Sequence, residues 1–187
     1  KICMEEGSVK AMRKHALIVG PRRVGKSTLI RKVIETLNCS VAGFETKKES
    51  KMEDETLGSP IYIHTIGAPW HYSEENLLGY CKNQKTQRIS DAFNRYADKL
   101  LQPVPEGTIL CFDEIGFMES KEKAFCDAVL ERLDGDIPIL AAVKDKEIPF
   151  LNQVRNHPNC KCFFITEENR DKLVDEVLEF MKNQIEK

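Results

Sequence analysis

A loop that could hold a phosphate chain stands near the start of the sequence. Residues 20–28 read GPRRVGKST and fit G-x-x-x-x-G-K-[S/T], the phosphate-binding P-loop. Its two glycines let successive N–H groups turn inward around an anion, and a helix that begins near Lys26 points its positive end at the same anion. In this pattern the lysine reaches the β- and γ-phosphates and Ser27 ligates Mg²⁺. The residues predicted to bind a nucleoside triphosphate are Gly20, Pro21, Arg22, Arg23, Val24, Gly25, Lys26, Ser27 and Thr28.

A second group of candidate residues ends the apolar segment 108–114. An apolar strand that ends in an acid is typical of the Walker B arrangement, in which Asp113 holds Mg²⁺. Glu114 follows directly and can accept a proton from a water that attacks the γ-phosphate. Acidic residues often follow strands, so this motif gains its meaning from the P-loop upstream. The pair predicts Lys26 and Glu114 as catalytic residues, and a dedicated base favours hydrolysis over a passive nucleotide switch.

Strands and helices alternate along the chain and must position these residues. Apolar runs predict strands at 16–19, 39–46, 60–67, 108–112, 137–143 and 161–165. Helical periodicity predicts helices at 27–37, 86–102, 119–133 and 148–156, and a final helix capped by Thr166. This alternation indicates an α/β fold with a mostly parallel central sheet and helices on both faces, which binds ligands at the carboxyl ends of its strands. We expect one domain at 14–187, with residues 1–13 as an extension or leader outside the core.

Composition limits the partners. With 28 basic and 30 acidic residues, the net charge of −2 gives no field that would attract nucleic acid or an anionic membrane. The longest apolar runs have the length of strands, so none is expected to span a bilayer. The seven cysteines, several of them in apolar runs, are typical of reduced thiols in a cytoplasmic protein. A zinc site from His157, Cys160 and Cys162 is the less favoured alternative, because its spacing matches no common pattern.

Several single residues have two interpretations. Lys144 ends an apolar strand, where it is either a γ-phosphate sensor or a solvated side chain. His64 falls on the polar phase of its strand, which favours a solvated histidine. Trp70 is the only tryptophan, and packing against its own protein is favoured over stacking on a base.

Four stretches carry a resemblance to a known family. Residues 20–28, 43–46, 113–119 and 165–170 resemble the nucleoside-triphosphatase family that includes the human cancer-related nucleoside triphosphatase and its bacterial and archaeal relatives. The run Asp-Glu-Ile-Gly-x-Met-Glu at 113–119 is its most specific part. The resemblance implies Mg²⁺-dependent release of the terminal phosphate from several nucleoside triphosphates, on a compact P-loop NTPase fold. Residues 68–100 match the family poorly.

The resemblance also bears on individual residues. Its last stretch, together with its position after the final strand, suggests that Asn169 and Arg170 help to form the base site, although Asn169 could equally be a hydrogen-bonding residue at the helix end. Arg22 and Arg23 stand where relatives usually carry Pro-Gly. Either arginine could supply charge to the transition state as an internal arginine finger, or both could be solvated.

Three functions therefore stay open at this point, of which hydrolysis is favoured. A nucleotide or small-molecule kinase would share the P-loop, and a slow nucleotide-dependent switch would act on a protein partner that the sequence does not identify. Residues 144–147 read KDKE, where a guanine-reading protein would carry Asn-Lys-x-Asp, so guanine specificity is disfavoured.

Overall fold

A single eight-stranded sheet forms the frame of the chain in the computed structural model, which describes residues 12–116 and 119–186. Most of the extension 1–13, and positions 117 and 118 of the 113–119 run, lie outside the described residues. The strands are β1 (His15–Gly20), β2 (Ser40–Lys48), β3 (Ser59–Thr65), β4 (Leu77–Lys82), β5 (Lys85–Arg88), β6 (Thr108–Ile115), β7 (Ile139–Lys144) and β8 (Cys160–Phe164). The helices are α1 (Lys26–Leu37), α2 (Ala92–Leu100), α3 (Lys123–Asp134), α4 (Pro149–Arg155) and α5 (Arg170–Ile185).

The sheet is covered on both faces, as the sequence predicts. Strand β1 contributes Leu17 and Val19 to the apolar cluster that includes residues of α2, α3 and α4, and it contributes Ala16 and Ile18 to the cluster of α1 and α5. The apolar runs 16–19 of β1 and 139–143 of β7 suit this position because they are buried on both sides. The α/β fold class is therefore confirmed. That residues 14–187 form one domain stays a proposal. None of the described helices is long and apolar enough to cross a membrane.

Strand order brings the candidate residues to one edge. The order is β5-β4-β3-β2-β6-β7-β1-β8, with parallel pairing from β2 through β8. Strand β7 lies between the strand that leads into the P-loop and the strand that carries Asp113. Gly20 at the end of β1 pairs with Lys144 at the end of β7. Because parallel strands end at the same edge, the P-loop, Lys144 and the acids of β6 meet there.

The other side of the sheet is antiparallel and corrects one prediction. The helix expected at 86–102 is wrong in its first part, because residues 85–88 form β5 and the helix begins at Ala92. Asn83 and Gln84 both adopt positive φ, at 49° and 63°, as a two-residue hairpin turn requires. Ile89, expected in the buried stripe of the helix, is 49% exposed. The helix expected at 119–133 likewise begins only at Lys123.

His15, the first residue of β1, is fully buried in a setting that favours its neutral form. Its Nδ1 accepts a hydrogen bond from the Ile139 N–H at 3.2 Å, and its Nε2 lies 3.0 Å from the Leu133 carbonyl oxygen, to which it donates. Burial lowers the pKa of His15 to about 4, although the Leu133 hydrogen bond opposes this shift. A second ring proton would have to stand on Nδ1 against the Ile139 N–H, so the folded chain takes it up only in acid.

We predict that stability falls as the pH drops from about 6.5 toward 4. In this window the unfolded chain binds a proton at His15 that the folded chain does not, so the free energy of unfolding decreases by about 2 kcal/mol between neutral pH and about pH 5. Urea unfolding of the wild type and His15→Asn at both pH values measures the effect. The variant should lose this part of the pH dependence, whereas a matched change at the exposed His71 should retain it. Equal pH dependence in all three proteins would contradict the prediction.

Candidate active site

The P-loop connects β1 to α1, and its last glycine is required by its conformation. Gly25 precedes the helix with φ 112°, a left-handed value that side chains with a Cβ rarely adopt. Its carbonyl oxygen accepts the first helical hydrogen bond, from the Leu29 N–H at 2.9 Å. This turn places Lys26 and Ser27 in the first turn of α1, where free N–H groups and the helix dipole favour an anion.

Lys26 is a buried cation whose ammonium group is surrounded by oxygen atoms. It is 4% exposed, and its Nζ donates to the carbonyl oxygens of Gly20 at 2.8 Å and Pro21 at 2.6 Å. Its third oxygen neighbour is Glu114 Oε2 at 3.0 Å. The ammonium therefore lies inside the loop, at the point where the P-loop pattern requires it.

Ser27 and Asp113 meet across the sheet edge. The Ser27 hydroxyl donates to Asp113 Oδ1 at 2.8 Å. Burial raises the pKa of Asp113, the charges of Glu114 and Glu45 add to this rise, and the Ser27 hydrogen bond opposes it. A carboxylate in such a position is stabilised by a nearby cation.

The Ser27–Asp113 pair fits Mg²⁺. The ion prefers oxygen ligands, and beside phosphates it needs only one or two protein groups. Within residues 12–116 and 119–186, no three His, Cys, Asp or Glu side chains lie close enough to hold a metal by themselves. His157, considered for zinc, instead contacts Asp134 at 3.0 Å.

Glu114 lies between two lysines. Its Oε2 is 3.0 Å from Lys26 Nζ and its Oε1 is 3.4 Å from Lys144 Nζ. Glu114 and Lys144 are 24% and 25% exposed, so this ion pair stands at the mouth of the loop rather than in open solvent. The structure thus places Lys144 against the candidate base. The sequence alone left open whether Lys144 lies in the site or is solvated.

A groove of about 630 Å³ opens in front of these residues. The P-loop, Glu114 and Lys144 form one wall, and β2, β3 and the β4–β5 hairpin form the other. Five of its side chains are basic and two are acidic: Arg22, Lys48, Lys85, Lys144 and Lys146, with Glu114 and Asp145. The sequence does not reveal that Lys48 and Lys85 lie here, because nothing near them shows that β2 and the β4–β5 hairpin face the P-loop. Lys146, in the connection after β7, also carries no signal of its own.

The two loop arginines differ in position. Arg22 lines the groove on the same wall as Glu114. Arg23 adopts a left-handed φ of 64° and is exposed. The structure therefore brings Arg22, rather than Arg23, to the side of the loop that the candidate base occupies.

Asn169 and Arg170 take separate roles at the start of α5. Asn169 accepts from the Thr166 N–H at 2.8 Å and donates to the Phe164 carbonyl at 2.8 Å, while its own N–H donates to the Thr166 hydroxyl at 3.2 Å. These bonds make Asn169 a helix-terminal residue. Arg170 lines a cavity of about 230 Å³ together with Gly25 and Thr28, next to the P-loop.

His64 corrects a further prediction. It is 2% exposed rather than solvated, because the ring of Trp70 stacks on it with centroids 4.7 Å apart. Among the described residues neither of its ring nitrogens has a hydrogen-bond partner, and burial lowers the pKa of His64. Trp70 packs against its own protein, as favoured, with 44% of its surface exposed.

Known proteins match the chain over most of its length. The model of the NTPase family matches residues 15–178. The nucleoside-triphosphatase THEP1 of Natranaerobius thermophilus is 26% identical, and the match covers 90% of this chain and 97% of that protein. The cancer-related nucleoside-triphosphatase homolog of Mus musculus is 29% identical, with 89% and 96% covered. The solution structure of a human cancer-related nucleoside triphosphatase has the same fold, with a TM-score of 0.63 at 22% identity, covering 91% of this chain and 98% of that chain.

Alanine substitutions at the start of α5 should separate a structural role from nucleotide binding. We expect Asn169→Ala to lower the free energy of unfolding by about 1 kcal/mol and to leave nucleotide affinity nearly unchanged, because it removes the side-chain hydrogen bonds to the Thr166 N–H and the Phe164 carbonyl oxygen. Arg170→Ala should weaken nucleotide binding by roughly threefold to tenfold and leave stability nearly unchanged, since it removes a partly exposed cation beside the P-loop. Urea unfolding and calorimetric titration with ADP measure the two effects. Weaker ADP binding by Asn169→Ala at normal stability would contradict this division.

Proposed function

Because the chain belongs to the NTPase family, we propose that it hydrolyses nucleoside triphosphates to the diphosphate and inorganic phosphate, that it depends on Mg²⁺ and that it accepts several bases. The observation that carries this proposal is the position of Glu114, which lies between Lys26 and Lys144 at the mouth of the P-loop. The names of its relatives point to the same reaction and specify no nucleobase.

Binding of a triphosphate would rearrange the contacts of Lys26. Its Nζ faces three oxygen atoms, two from carbonyl groups and one from Glu114. Phosphate oxygens carry more charge than carbonyl oxygens and compete for the same ammonium protons. When they take these protons, the Glu114 carboxylate is released from one of its two lysines while it stays beside Lys144. Lys26 then neutralises charge on the β- and γ-phosphates.

Glu114 is suited to act on water at the γ-phosphate. Its carboxylate orients the water and accepts its proton as the water oxygen bonds to phosphorus, and the bond from phosphorus to the bridging oxygen breaks. Ser27 and Asp113 would hold Mg²⁺, which neutralises charge that develops on the phosphates. Lys144, which contacts the other carboxylate oxygen of Glu114, lines the groove and can stabilise the same charge.

The cavity beside the P-loop supports broad nucleobase specificity. The Asn169 amide is used within its own turn, which leaves the Arg170 guanidinium in the cavity beside Thr28. A guanidinium stacks on any base. A cytoplasmic location is part of the proposal and is supported by the cysteines of the described chain, which are all free.

The groove favours a second candidate function, transfer of the γ-phosphoryl group to an anionic acceptor. A cavity of about 630 Å³ exceeds the needs of one water, and Lys48 and Lys85 line it on the wall opposite the P-loop. An acceptor hydroxyl could take the place of water beside Glu114. Hydrolysis remains the main proposal because of the family membership.

We predict that the protein releases phosphate from ATP, GTP, CTP and UTP in the presence of Mg²⁺, and that Glu114→Gln slows release on the order of a hundredfold. The substitution keeps size and hydrogen bonding but removes the base. Steady-state phosphate release measures the rate, and ADP titration should show nucleotide affinity within about threefold of the wild type. Glu131→Gln, at an exposed position on α3, is the matched control.

Two results would argue against this assignment. If Glu114→Gln keeps the wild-type rate, then Glu114 is not the base. If neither protein releases phosphate although both bind nucleotide, the function moves to phosphoryl transfer awaiting an acceptor or to a switch awaiting a partner.

Arg22 should contribute charge to the transition state and Arg23 should not. We expect Arg22→Ala to lower kcat about tenfold, a loss of about 1.4 kcal/mol, and Arg23→Ala to leave kcat within about twofold. The two variants remove the same side chain from neighbouring positions of one loop, so each is the control for the other. If kcat stays within about twofold for both, then the arginine hypothesis fails.

A further inference from the structure

A row of three side chains crosses three neighbouring strands beside the candidate metal position. Glu45 on β2 pairs with Asp113 on β6 in parallel register, and on its other side it pairs with His64 on β3. Residues paired in register point to the same face of a sheet, and adjacent strands lie about 4.8 Å apart. Glu45 therefore stands next to Asp113 on the face where Ser27 donates to that carboxylate. Glu45 lies in the 43–46 stretch of the family resemblance, which assigns it no role.

Trp70 holds the Glu45 carboxylate from the far side. Its indole Nε1 donates to Glu45 Oε1 at 3.2 Å. The stack on buried His64, with an interplanar angle of 12°, fixes the plane of the indole and thus the direction of its N–H. The Lys47 ammonium lies 5.6 Å from the centre of the same ring, which adds a cation–π contact. Trp70 thereby restrains where the charge of Glu45 can lie.

The charges of the row are unbalanced. Within the part of the chain that the structure describes, neither Asp113 nor Glu45 has a Lys, Arg or His nitrogen within 4.0 Å. Both side chains are half-buried, where like charges repel more strongly than in water. The nearby cations, Lys26 and Lys144, are instead paired with Glu114.

We propose that Glu45 is a positioning residue for the divalent cation at Ser27 and Asp113, and that Trp70 holds it in that role. The negative charge of Glu45 strengthens cation binding from the neighbouring strand. The inference rests on the proposed Mg²⁺-dependent function and deepens it. It also explains why a half-buried carboxylate is kept beside another: a cation bound there removes their repulsion.

Calorimetric titration with ADP, once with MnCl₂ and once with EDTA, tests the proposal. Mn²⁺ is the probe for the Mg²⁺ position, and ADP avoids turnover. Glu45→Gln keeps the acceptor for the indole and removes only the charge. We expect it to weaken Mn²⁺–ADP binding by roughly fivefold to tenfold. In EDTA its affinity for ADP should be equal to or tighter than that of the wild type, because a repulsion of the phosphates is gone.

Three further variants separate charge from structure. Glu45→Asp keeps the charge and should retain most of the metal-dependent affinity, even if its indole contact is altered. Trp70→Phe keeps the stack on His64 but loses the N–H, so we expect a loss of about twofold to threefold. Once the charge is gone, the indole has nothing to position, so Glu45→Gln/Trp70→Phe should be no worse than Glu45→Gln alone. Glu53→Gln, at an exposed position on the β2–β3 connection, is the control for net charge and should match the wild type.

The outcomes distinguish the two proposals. If the wild type binds ADP no more tightly with Mn²⁺ than in EDTA, then the metal dependence of the proposed function is wrong. If the wild type shows this dependence and Glu45→Gln equals Glu53→Gln, then only the role of Glu45 is overturned. If Glu45→Gln does not fold, Trp70→Phe and Glu45→Asp decide, and wild-type metal dependence in Trp70→Phe overturns the role of the indole.

The fluorescence of Trp70, the only tryptophan, gives a second readout in the wild type and Glu45→Gln, since bound Mn²⁺ should quench it.

Discussion

The ammonium group of Lys26 is the interaction on which the site depends. A cation that is 4% exposed must be surrounded by oxygen atoms, because an unpaired buried charge costs several kcal/mol. Two of these oxygens come from the loop itself, which fixes the path of residues 20 and 21. The third comes from Glu114, on a strand two positions away in the sheet. One buried charge therefore holds together the P-loop and the end of β6.

Strand order makes this contact possible. If β1 and β6 were direct neighbours, Glu114 would lie beside the P-loop strand itself, with no space for Lys144 between them. Because β7 separates them, its last residue, Lys144, reaches Glu114 Oε1, while Lys26 contacts Oε2. The candidate base is thus held by two cations, one from the start of helix α1 and one from the end of strand β7. A phosphate that takes Lys26 away from Glu114 therefore leaves Glu114 in contact with Lys144.

Local sequence signals predicted the parts of the site that are contiguous in the chain. The P-loop, the strand before it and the acids at the end of β6 each have a pattern of their own, and in the structure they lie at one edge of the sheet. The β5 strand could not be predicted, because residues 85–88 read KTQR and show no alternation. His64 lies on a strand, as the sequence predicts. The prediction of a solvated side chain failed because periodicity does not reveal that Trp70 covers that face.

The wall of the groove opposite the P-loop is built largely from the antiparallel strands, part of which the sequence does not predict. The P-loop side of the site contacts phosphates, which all nucleoside triphosphates share, so it cannot decide what receives the phosphoryl group. The opposite wall carries Lys48 and Lys85, and the segment after β3 brings Trp70 to Glu45. Much of this wall lies within residues 68–100, which resemble the family least. A difference between this chain and its relatives in acceptor or in cation affinity would therefore arise from the antiparallel side of the sheet, with the P-loop chemistry unchanged.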